Sequence, residues 1–499
     1  MRSTLLGAAA GAILVLAFPP TGWAFLVVPA ITAFLLAVRW ATRPIHAWLA
    51  GAVFGLSFFS LLFPWLAELG PIALWPLVVV QTLFPLTYAR LLFRASAAQP
   101  VQWVLVAAAG WGLMEYLRER VPLGGYGWGL VGYPVGEYSA LRGATQWIGT
   151  SGWAVVLVAA CAAIAVSITE RRLDRVLVLA PLGLIAVLAT LGALFGPTSE
   201  GPEFEAVIVQ GSSPCPGQRC PGERAATYAA SLELTSEIPE GGADLVVWPE
   251  GSTGFDVDPV LDPSVGAAIS SEARRIGAVL LAGGDRPVSE TEWINANVVW
   301  DRQGTLVGEY RKRHPVPFGE YVPARHLFGW IPDLSRVPRD MIRGDGPVLF
   351  DLDGVAFGSV ISFESSFARY SREHVRAGAD LLVVATSQAS YPFSHASDQL
   401  IGMTRMRSAE LGVDVIHGSV TGRSVFITDG GVLGEPTGLA EITSLRGVVQ
   451  SRSDGLTVYA RLGDWVQLVG LAWLVDRWVR AGLRRSGRNG PVLPLAFVR

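Results

Sequence analysis

Long apolar runs separated by short polar segments dominate the chain before residue 200. Seven such runs precede that point, and a shorter one at 465–475 continues amphipathically to about residue 482. Most of them reach the roughly 20 residues that a helix needs to cross a bilayer. The seven runs cover 4–18, 21–38, 47–66, 71–89, 101–117, 146–168 and 174–196. The pattern predicts seven transmembrane helices followed, after a polar region, by one more.

Arginine residues are distributed unevenly among the segments that join these runs. If the N-terminus is inside, the inner segments hold thirteen arginines, whereas the outer loops between helices hold three. Segments rich in Lys and Arg stay in the cytoplasm, so this asymmetry predicts a cytoplasmic N-terminus. The inner arginines are Arg2, Arg39, Arg43, Arg90, Arg94, Arg171, Arg172, Arg175, Arg477, Arg480, Arg484, Arg485 and Arg488. The predicted divisions are a membrane domain at 1–197, an extracytoplasmic domain at 198–462, and a final transmembrane helix with a cytoplasmic tail at 463–499.

Between residues 203 and 460 short β-branched runs alternate with helical stretches and turn signals. Strands interleaved with helices are typical of a layered α/β domain. The predicted strands are 204–209, 244–248, 278–282, 296–300, 305–310, 347–351, 355–361, 380–385, 413–417 and 424–428. The predicted helices are 222–237, 263–276, 367–377 and 398–411. We therefore expect an α-β-β-α sandwich with sheets inside and helices outside.

Composition supports a membrane protein and singles out one residue. Charged residues make up only 16% of the chain, against about 25% in soluble proteins, and hydrophobic residues make up 51%. The net charge of -3 gives no hint of nucleic-acid binding, and nucleic acid is not a predicted partner. The basic residues are 38 arginines and one lysine, Lys312. Arginine can supply a generic positive charge, but it cannot replace a lysine that acts as a compact ammonium or loses its proton.

The three cysteines fall in two settings. Cys161 lies in an apolar run, where it is expected to pack. Cys215 and Cys220 lie in a loop flanked by Pro and Gly, and such a loop can close a disulfide in an oxidising compartment. Without His or further Cys nearby the pair is a poor metal site, and no metal or cofactor is predicted.

The segment 119–144 is rich in glycine and aromatic residues. It has two interpretations. One is a belt of aromatic side chains at the membrane–water interface. The other is a re-entrant wall of a lipid-access site beside the extracytoplasmic domain.

Two segments carry charged side chains at the ends of predicted strands. Val246–Gly251 presents Glu250, which can act as a general base or cap the following turn. The second segment, Glu309–Pro323, contains Lys312 and Glu320 among three prolines that stiffen it. It is either part of a catalytic site or a basic surface loop that attracts anionic lipid headgroups.

A third segment, Gly358–Ser365, ends a buried strand at Ser362, a candidate nucleophile. Glu364 follows two residues later. If the strand continues through both positions, alternation places the two side chains on the same face.

These segments together resemble the carbon–nitrogen hydrolase (nitrilase) superfamily, and in particular its membrane branch, the apolipoprotein N-acyltransferases. The resemblance rests on Trp-Pro-Glu at 248–250, on Tyr-x-Lys-x-His-x-Val-Pro-Phe-Gly-Glu-x-Val-Pro at 310–323, and on the strand that ends at a small nucleophile followed by an aromatic residue and Glu. Further similar positions are Val209-Gln210-Gly211, Asn297, Thr386-Ser387 and Arg405–Glu410.

The resemblance implies a multi-pass enzyme of the bacterial cytoplasmic membrane. Such enzymes transfer an sn-1 acyl chain from a phospholipid to the N-terminal diacylglyceryl-cysteine amine of lipoproteins through an acyl-enzyme. Carried over, Glu250 is the general base, Lys312 stabilises the tetrahedral oxyanion and Glu320 supports both. Glu364 and His314 are expected to be supporting residues, and the counterpart of His314 is not the base.

Two positions depart from the family pattern. The family has Cys where this chain has Ser362, and a serine hydroxyl is much harder to ionise than a thiol. The family also has an Asn-Asp-x-Trp-like run where this chain has Gln388-Ala389-Ser390-Tyr391. Three functions stay open: an acyltransferase that uses Ser362, a degenerate member that binds lipid or lipoprotein or assists an active partner, and an extracytoplasmic amidase.

Overall fold

Helices make up the N-terminal part of the chain in the computed structural model, which describes residues 1–171, 174–197, 199–218, 220–452 and 455–486. The predicted inner arginines Arg172 and Arg488 and the tail from 487 lie outside the described residues, as do the side chains of Arg484 and Arg485. The helices of this part are α1 (Arg2–Val15), α2 (Val27–Arg39), α3 (Pro44–Leu62), α4 (Pro71–Arg94), α5 (Pro100–Arg118), α6 (Ser139–Gly143), α7 (Thr145–Glu170) and α8 (Arg175–Leu194).

Four of the described helices are long and apolar enough to cross a membrane, namely α3, α4, α7 and α8. Two shorter apolar helices span Arg2–Val15 and Ala24–Arg39. Helix α5 covers the remaining run, 101–117, so each of the seven predicted runs corresponds to a helix. The number of helices that cross the bilayer stays a prediction.

Local sequence explains where these helices begin and how closely they pack. Proline occupies the first position of α3, α4 and α5, where its missing N–H has no helical partner to lose. Gly7 and Gly11 of α1 face the backbone of α3, and a Cβ on either would lie within 2.6 Å of an α3 carbonyl oxygen. Small residues let helix backbones approach closely in lipid, and this contact holds α1 against α3.

Two β-sheets form the core of the second part. The strands are β1 (Glu203–Gln210), β2 (Leu245–Gly254), β3 (Val279–Pro287), β4 (Glu292–Trp300), β5 (Leu306–Arg311), β6 (Asp340–Met341), β7 (Leu349–Leu352), β8 (Val355–Ile361), β9 (Leu381–Thr386), β10 (Asp414–Ser419), β11 (Val425–Thr428), β12 (Gly431–Leu433) and β13 (Thr443–Gln450). One sheet has the order β13-β1-β2-β3-β4-β5, with β6 beside β4, and the other has the order β12-β11-β10-β9-β8-β7. Strands β1, β2 and β3 run parallel, as do β8, β9 and β10.

The sheets pack face to face and helices cover their outer faces. The remaining helices are α9 (Glu223–Ser236), α10 (Pro263–Ile276), α11 (Arg325–Phe328), α12 (Ala368–Ala377), α13 (Ala396–Leu411), α14 (Val458–Leu462) and α15 (Trp465–Ser486). Apolar residues of both sheets, such as Val247 and Phe357, form the inner core. Residues of α10 such as Ile269 pack outside the first sheet, and those of α12 such as Val375 pack outside the second. The predicted α-β-β-α sandwich is confirmed.

The helical part and the sandwich share an apolar core. Phe363, Phe367 and Met406 of the sandwich belong to the same buried cluster as residues of α1 to α5 and α7. A polar contact also links the two parts. Glu410 of α13 accepts a hydrogen bond from the Thr150 N–H of α7 at 2.6 Å. The same carboxylate forms a fully buried ion pair with Arg407 of α13 at 2.9 Å. The sandwich is therefore docked firmly on the helices.

Candidate active site

Glu250, Lys312 and Glu320 meet in one buried cluster. The Lys312 ammonium nitrogen lies 2.5 Å from Glu320 Oε1 and 3.4 Å from Glu250 Oε1. The Lys312 side chain is 1% exposed, and the two carboxylate side chains are 10% and 15% exposed. Residues far apart in sequence thus form one charged unit, and the interpretation of 309–323 as a basic surface loop does not describe Lys312.

Strand β2 delivers Glu250, and β4, which lies two strands away in the same sheet, orients it. The register of β2 against β3 is interrupted between Trp248 and Thr253, where Glu250 lies. Asn295 of β4 donates from Nδ2 to Glu250 Oε1 at 2.7 Å. In the described part of the chain, the side chains of Asn295 and Lys312 both donate to Oε1 of Glu250. The other carboxylate oxygen, Oε2, is therefore the one available to a substrate or nucleophile.

The end of β5 and the proline-rich segment after it hold Lys312 and Glu320. The Lys312 N–H donates to the Asn295 carbonyl at 2.9 Å. Glu320 Oε2 accepts from the Val316 N–H at 2.7 Å, which bends the segment back onto the lysine. Burial alone would lower the pKa of Lys312, but the carboxylates of Glu320 and Glu250 outweigh it and raise that pKa above its ordinary value. Lys312 is therefore an ammonium at neutral pH.

Ser362 begins a short turn rather than continuing a strand. Strand β8 ends at Ile361, and Ser362–Ser366 forms a single 3₁₀ turn. Ser362 itself has a left-handed backbone, φ +52°, which is uncommon for a residue with a Cβ. The expectation that Ser362 and Glu364 share one face of a strand is wrong, because the turn sends Glu364 back toward the strand end.

Glu364 connects the turn that begins at Ser362 to the segment that follows Lys312. Its carboxylate is fully buried and accepts from three backbone N–H groups, those of Ile361 at 2.8 Å, Arg313 at 2.6 Å and His314 at 3.1 Å. The Tyr310 hydroxyl donates a fourth bond at 2.8 Å. The Glu364 carboxylate thus binds backbone groups next to both Lys312 and Ser362. This places the Ser362 turn beside the cluster of Glu250, Lys312 and Glu320.

His314 is a packing residue in this structure. Burial, helped by the positive charges of Arg369 and Lys312, lowers its pKa to about 3. Its ring packs 4.5 Å from that of Phe367, and its Nδ1 lies 2.8 Å from the Tyr370 hydroxyl. This neutral ring supports the site and does not serve it as a base.

The glycine- and aromatic-rich segment 119–144 forms a wall over the Ser362 turn. The Tyr133 hydroxyl donates to the Ser366 carbonyl at 2.9 Å, and the ring of Tyr126 lies 5.4 Å from that of Phe363. Trp128 is buried and donates to Gln399 of α13 at 2.7 Å. Because Trp128 and Tyr133 are buried, the segment forms a wall within the protein, and its position relative to the membrane stays a prediction.

Buried charged residues of α5 hold this wall in place. Glu115 accepts from the Val131 N–H at 2.9 Å, and Arg118 donates to the Trp128 carbonyl at 2.7 Å. Both side chains are buried in the protein, and a buried charged group is costly unless it is bonded in this way. Sequence reasoning missed both as wall anchors.

Two further site residues were also missed. Asn295 orients Glu250, and its signal is the alternation of Asn295 and Asn297 among the apolar residues that make up the rest of 293–300. Tyr391 packs its ring 4.7 Å from that of Trp65, which follows α3. Tyr391 lies near Glu250 because the sandwich docks on the helical part. The sequence around Tyr391 carries no pattern that predicts this docking.

Two further residues that resemble the family make hydrogen bonds to residues outside the charged cluster. Asn297 donates to Ser359 at 2.6 Å and joins the two sheets. Gln210 accepts from Ser424 and Thr437 at 2.7 Å each, in a polar network at the end of β1. These contacts join parts of the framework around the site.

The structure pairs Cys215 with Cys220 as a disulfide, with their Cα atoms 6.4 Å apart, and leaves Cys161 free and buried. Among the described residues, no group of three or more His, Cys, Asp or Glu side chains is arranged to hold a metal ion.

Two family models match this chain in succession. The apolipoprotein N-acyltransferase N-terminal domain matches residues 10–163, and the carbon-nitrogen hydrolase domain matches residues 206–443. Together they cover most of both parts of the molecule.

Curated relatives named apolipoprotein N-acyltransferase match along nearly the whole chain. The Photobacterium profundum protein is 26% identical over 98% of this chain and 97% of its own length. The Nitrosomonas europaea protein is 29% identical over 92% and 94%, and the Mycolicibacterium smegmatis protein is 28% identical over 84% and 75%.

Solved structures similar to part of this chain include an amidase of the nitrilase superfamily from Nesterenkonia, in a Cys-to-Ser mutant form. It is 15% identical, covers 55% of this chain and 97% of its own, and gives a TM-score of 0.36. A CN-hydrolase superfamily protein from Xanthomonas campestris is 19% identical over 50% and 91%, with a TM-score of 0.39.

Proposed function

This chain belongs to the apolipoprotein N-acyltransferase family, and from that premise we propose that it transfers an acyl chain from a phospholipid to the N-terminal diacylglyceryl-cysteine amine of lipoproteins. The observation that carries the proposal is the buried cluster of Lys312 with Glu250 and Glu320 beside the Ser362 turn. Acyl transfer needs an activated nucleophile and a positive group at the developing oxyanion, and the cluster supplies candidates for both.

The first half-reaction uses Ser362 and Glu250. Ser362 Oγ attacks the ester carbonyl of the phospholipid while its proton passes to Glu250 Oε2. The tetrahedral oxyanion collapses, the lysophospholipid leaves as an alcohol that takes the proton, and an acyl ester on Ser362 forms. Each bond made is matched by one broken, and Glu250 returns to its carboxylate form.

Lys312 stabilises the negative charge that develops on the carbonyl oxygen. An ammonium has three N–H donors, and two of them are directed at Glu320 and Glu250. The third is available for the oxyanion. Because the carboxylates keep Lys312 charged, the donor is in place before the substrate arrives.

The second half-reaction passes the acyl group to the lipoprotein. The α-amine of the diacylglyceryl-cysteine attacks the Ser362 ester, an amide forms, and Ser362 regains its proton through Glu250. The wall at 119–144 lies between the helices and the Ser362 turn, which suits two lipid substrates that arrive from the bilayer.

The chain is a membrane protein by family and by its apolar helices. We further propose the finer arrangement: seven transmembrane helices within 1–197, the catalytic domain at 198–462 on the outer side of the cytoplasmic membrane, and one returning helix. The Cys215–Cys220 disulfide supports an oxidising location for the catalytic domain.

Acyl transfer to a synthetic diacylated lipopeptide tests the proposal. Purified protein is incubated with phospholipid labelled in its sn-1 chain, and transfer of label to the peptide amine is expected. Glu250→Gln should reduce the rate at least about 100-fold, since it removes the base. If the wild type transfers nothing while Ser362→Cys does, the chain is a disarmed member of the family, and binding of lipid or lipoprotein becomes its function.

A further inference from the structure

The disulfide-closed loop Cys215–Cys220 lies against the segment that follows β9. We call residues 387–393 the pocket segment. The Gly217 N–H donates to the Ala389 carbonyl at 2.8 Å, and a Cβ added at Gly217 would lie 3.6 Å from Pro392 Cδ. Cys215 and Cys220 are both half-buried, so an added reductant can reach them.

A second connection joins the same two regions. The Ser213 N–H donates to the Thr421 hydroxyl at 3.2 Å, and the Thr421 N–H donates to the Ser387 carbonyl at 3.1 Å. The chain entering the disulfide loop and the start of the pocket segment are therefore fastened to the same threonine.

The inner end of the pocket segment is fixed by the second sheet. Gln388 is buried, has a left-handed backbone with φ +55°, and accepts from the Ser419 hydroxyl at 2.6 Å. Toward the other end Ser390 is exposed and Phe393 is 68% exposed. Within the described chain, Gly217 makes the one backbone hydrogen bond that reaches residues 389–393 from another part of the fold.

The pocket segment carries Tyr391 into the site. The Tyr391 ring packs against Trp65, while burial, together with the nearby Glu250 carboxylate, raises the pKa of its phenol. Tyr391 thus contacts the helical part through Trp65 and lies near the Glu250 carboxylate of the charged cluster.

We propose that the Cys215–Cys220 disulfide is a positioning element of the acyl-transfer site. By holding Gly217 against Ala389, it keeps the pocket segment closed over the sheet edge and fixes Tyr391 as the wall between the charged cluster and Trp65. Reduction frees a loop whose conformational entropy the cross-link had removed, and the pocket segment loses its outer support. The structural part of this proposal stands without the proposed function, and the kinetic part rests on it.

Hydrogen–deuterium exchange of the whole protein in detergent tests the structural part. Treatment with a trialkylphosphine, which reduces the disulfide and is itself oxidised, should speed exchange of peptides covering 387–393 by about tenfold, the size expected when a local opening is made easier. Peptides from α10 should not change. The Cys215→Ser/Cys220→Ser protein should show the fast exchange with or without phosphine. Equal exchange at 387–393 in oxidised and reduced wild type would overturn the proposal.

The kinetic part is tested in whichever form transfers acyl chains, wild type or Ser362→Cys. The double serine variant should raise KM for the lipopeptide about three- to tenfold and leave kcat within about twofold. The variant weakens substrate binding equally in the ground state and the transition state and leaves the chemical step unchanged. In a Tyr391→Ala background, removal of the disulfide should add no further change in KM. Additive effects on KM, or a fall in kcat alone, would contradict positioning through Tyr391. If neither form transfers acyl chains, the proposed function fails while the exchange result still decides the structural part.

Discussion

The Lys312 ammonium lies between the carboxylates of Glu250 and Glu320, and its side chain is buried. Lys312→Arg preserves the charge but inserts a larger planar group into a cluster where the lysine side chain is 1% exposed. We expect the rate of acyl transfer to fall at least about 100-fold, the usual cost of losing an oxyanion donor. Steady-state transfer of labelled acyl chains to the lipopeptide measures it.

Arg311→Lys is the matched control for that substitution. Arg311 precedes Lys312, is exposed, and pairs with Glu309 at 2.7 Å on the surface. Exposed ion pairs contribute little to stability, so this variant should keep wild-type activity. An active Lys312→Arg protein would remove Lys312 from the oxyanion site.

Single site residues are predictable from the sequence where a local signal marks them. Glu250 follows a β-branched run, and Lys312 is the one lysine among 38 arginines, so both stand out in the sequence alone. The predicted relation of Ser362 to Glu364 is wrong because a left-handed residue after β8 starts a turn that alternation cannot foresee. Asn295 and Tyr391 act through partners distant in sequence, and only the packed fold brings them to the site.

Between elements, Glu364 joins the end of β5 to the end of β8. A glutamine at this position has one acceptor oxygen, and its amide group would face the N–H donors that the carboxylate now accepts. Glu364→Gln should lower the free energy of unfolding by about 3 kcal/mol, because it leaves several buried donors unpaired, and should abolish acyl transfer. Thermal unfolding in detergent measures the loss.

Glu373→Gln is the control for Glu364. Glu373 contacts Arg313 of the same segment, but its side chain is 45% exposed. Its substitution should shift the unfolding transition little. Equal effects of the two substitutions would show that Glu364 is not the element that fastens the two strand ends.

A buried histidine between α13 and β10 gives the fold a dependence on pH. His417 is fully buried, with Nδ1 3.1 Å from the Thr404 hydroxyl, and burial lowers its pKa to about 3. In the unfolded chain it takes up a proton near pH 6.5. Between about pH 3 and pH 6.5, His417 is protonated in the unfolded chain and neutral in the native protein. Lowering the pH in this range therefore reduces the free energy of unfolding by up to about 1.4 kcal/mol per pH unit.

The variant His417→Gln isolates this contribution. Its unfolding temperature should fall less steeply than that of the wild type between about pH 6.5 and pH 4.5, when both are measured in the same detergent. Exposed His326→Gln serves as the control and should follow the wild type. Parallel profiles for His417→Gln and wild type would contradict the assignment of this pH dependence to His417.

At the element level, the periodicity of apolar residues predicts the helices and strands that bury a regular apolar face. It misses the elements that bury no such face. The apolar runs correspond to α1–α5, α7 and α8, and the ten predicted strands all occur. Strand β13 was missed because it lies at a sheet edge and mixes polar and charged residues such as Arg446 with Val448 and Val449. Strands β6 and β12 have two and three residues, too few to show a period.

For the whole molecule, the arrangement across the membrane can be read by chemical labelling. Ser289 of the sandwich and Ser96 between α4 and α5 are both exposed. With native cysteines buried or paired, a cysteine at either site is the reactive thiol. Ser289→Cys should react with a membrane-impermeant maleimide in intact spheroplasts, and Ser96→Cys only after permeabilisation. The reverse result would place the sandwich in the cytoplasm.

The central claim is that the charged cluster activates Ser362 to carry an acyl chain. Mass spectrometry of protein treated with phospholipid alone, without the lipopeptide, tests it most directly, since the acyl-enzyme then accumulates. We predict that peptides containing residues 355–366 gain the mass of one fatty acyl group on Ser362, that Ser362→Cys gains it as a thioester, and that Ser362→Ala gains none. A wild type that stays unmodified, or an acyl group that persists in Ser362→Ala, would contradict the account.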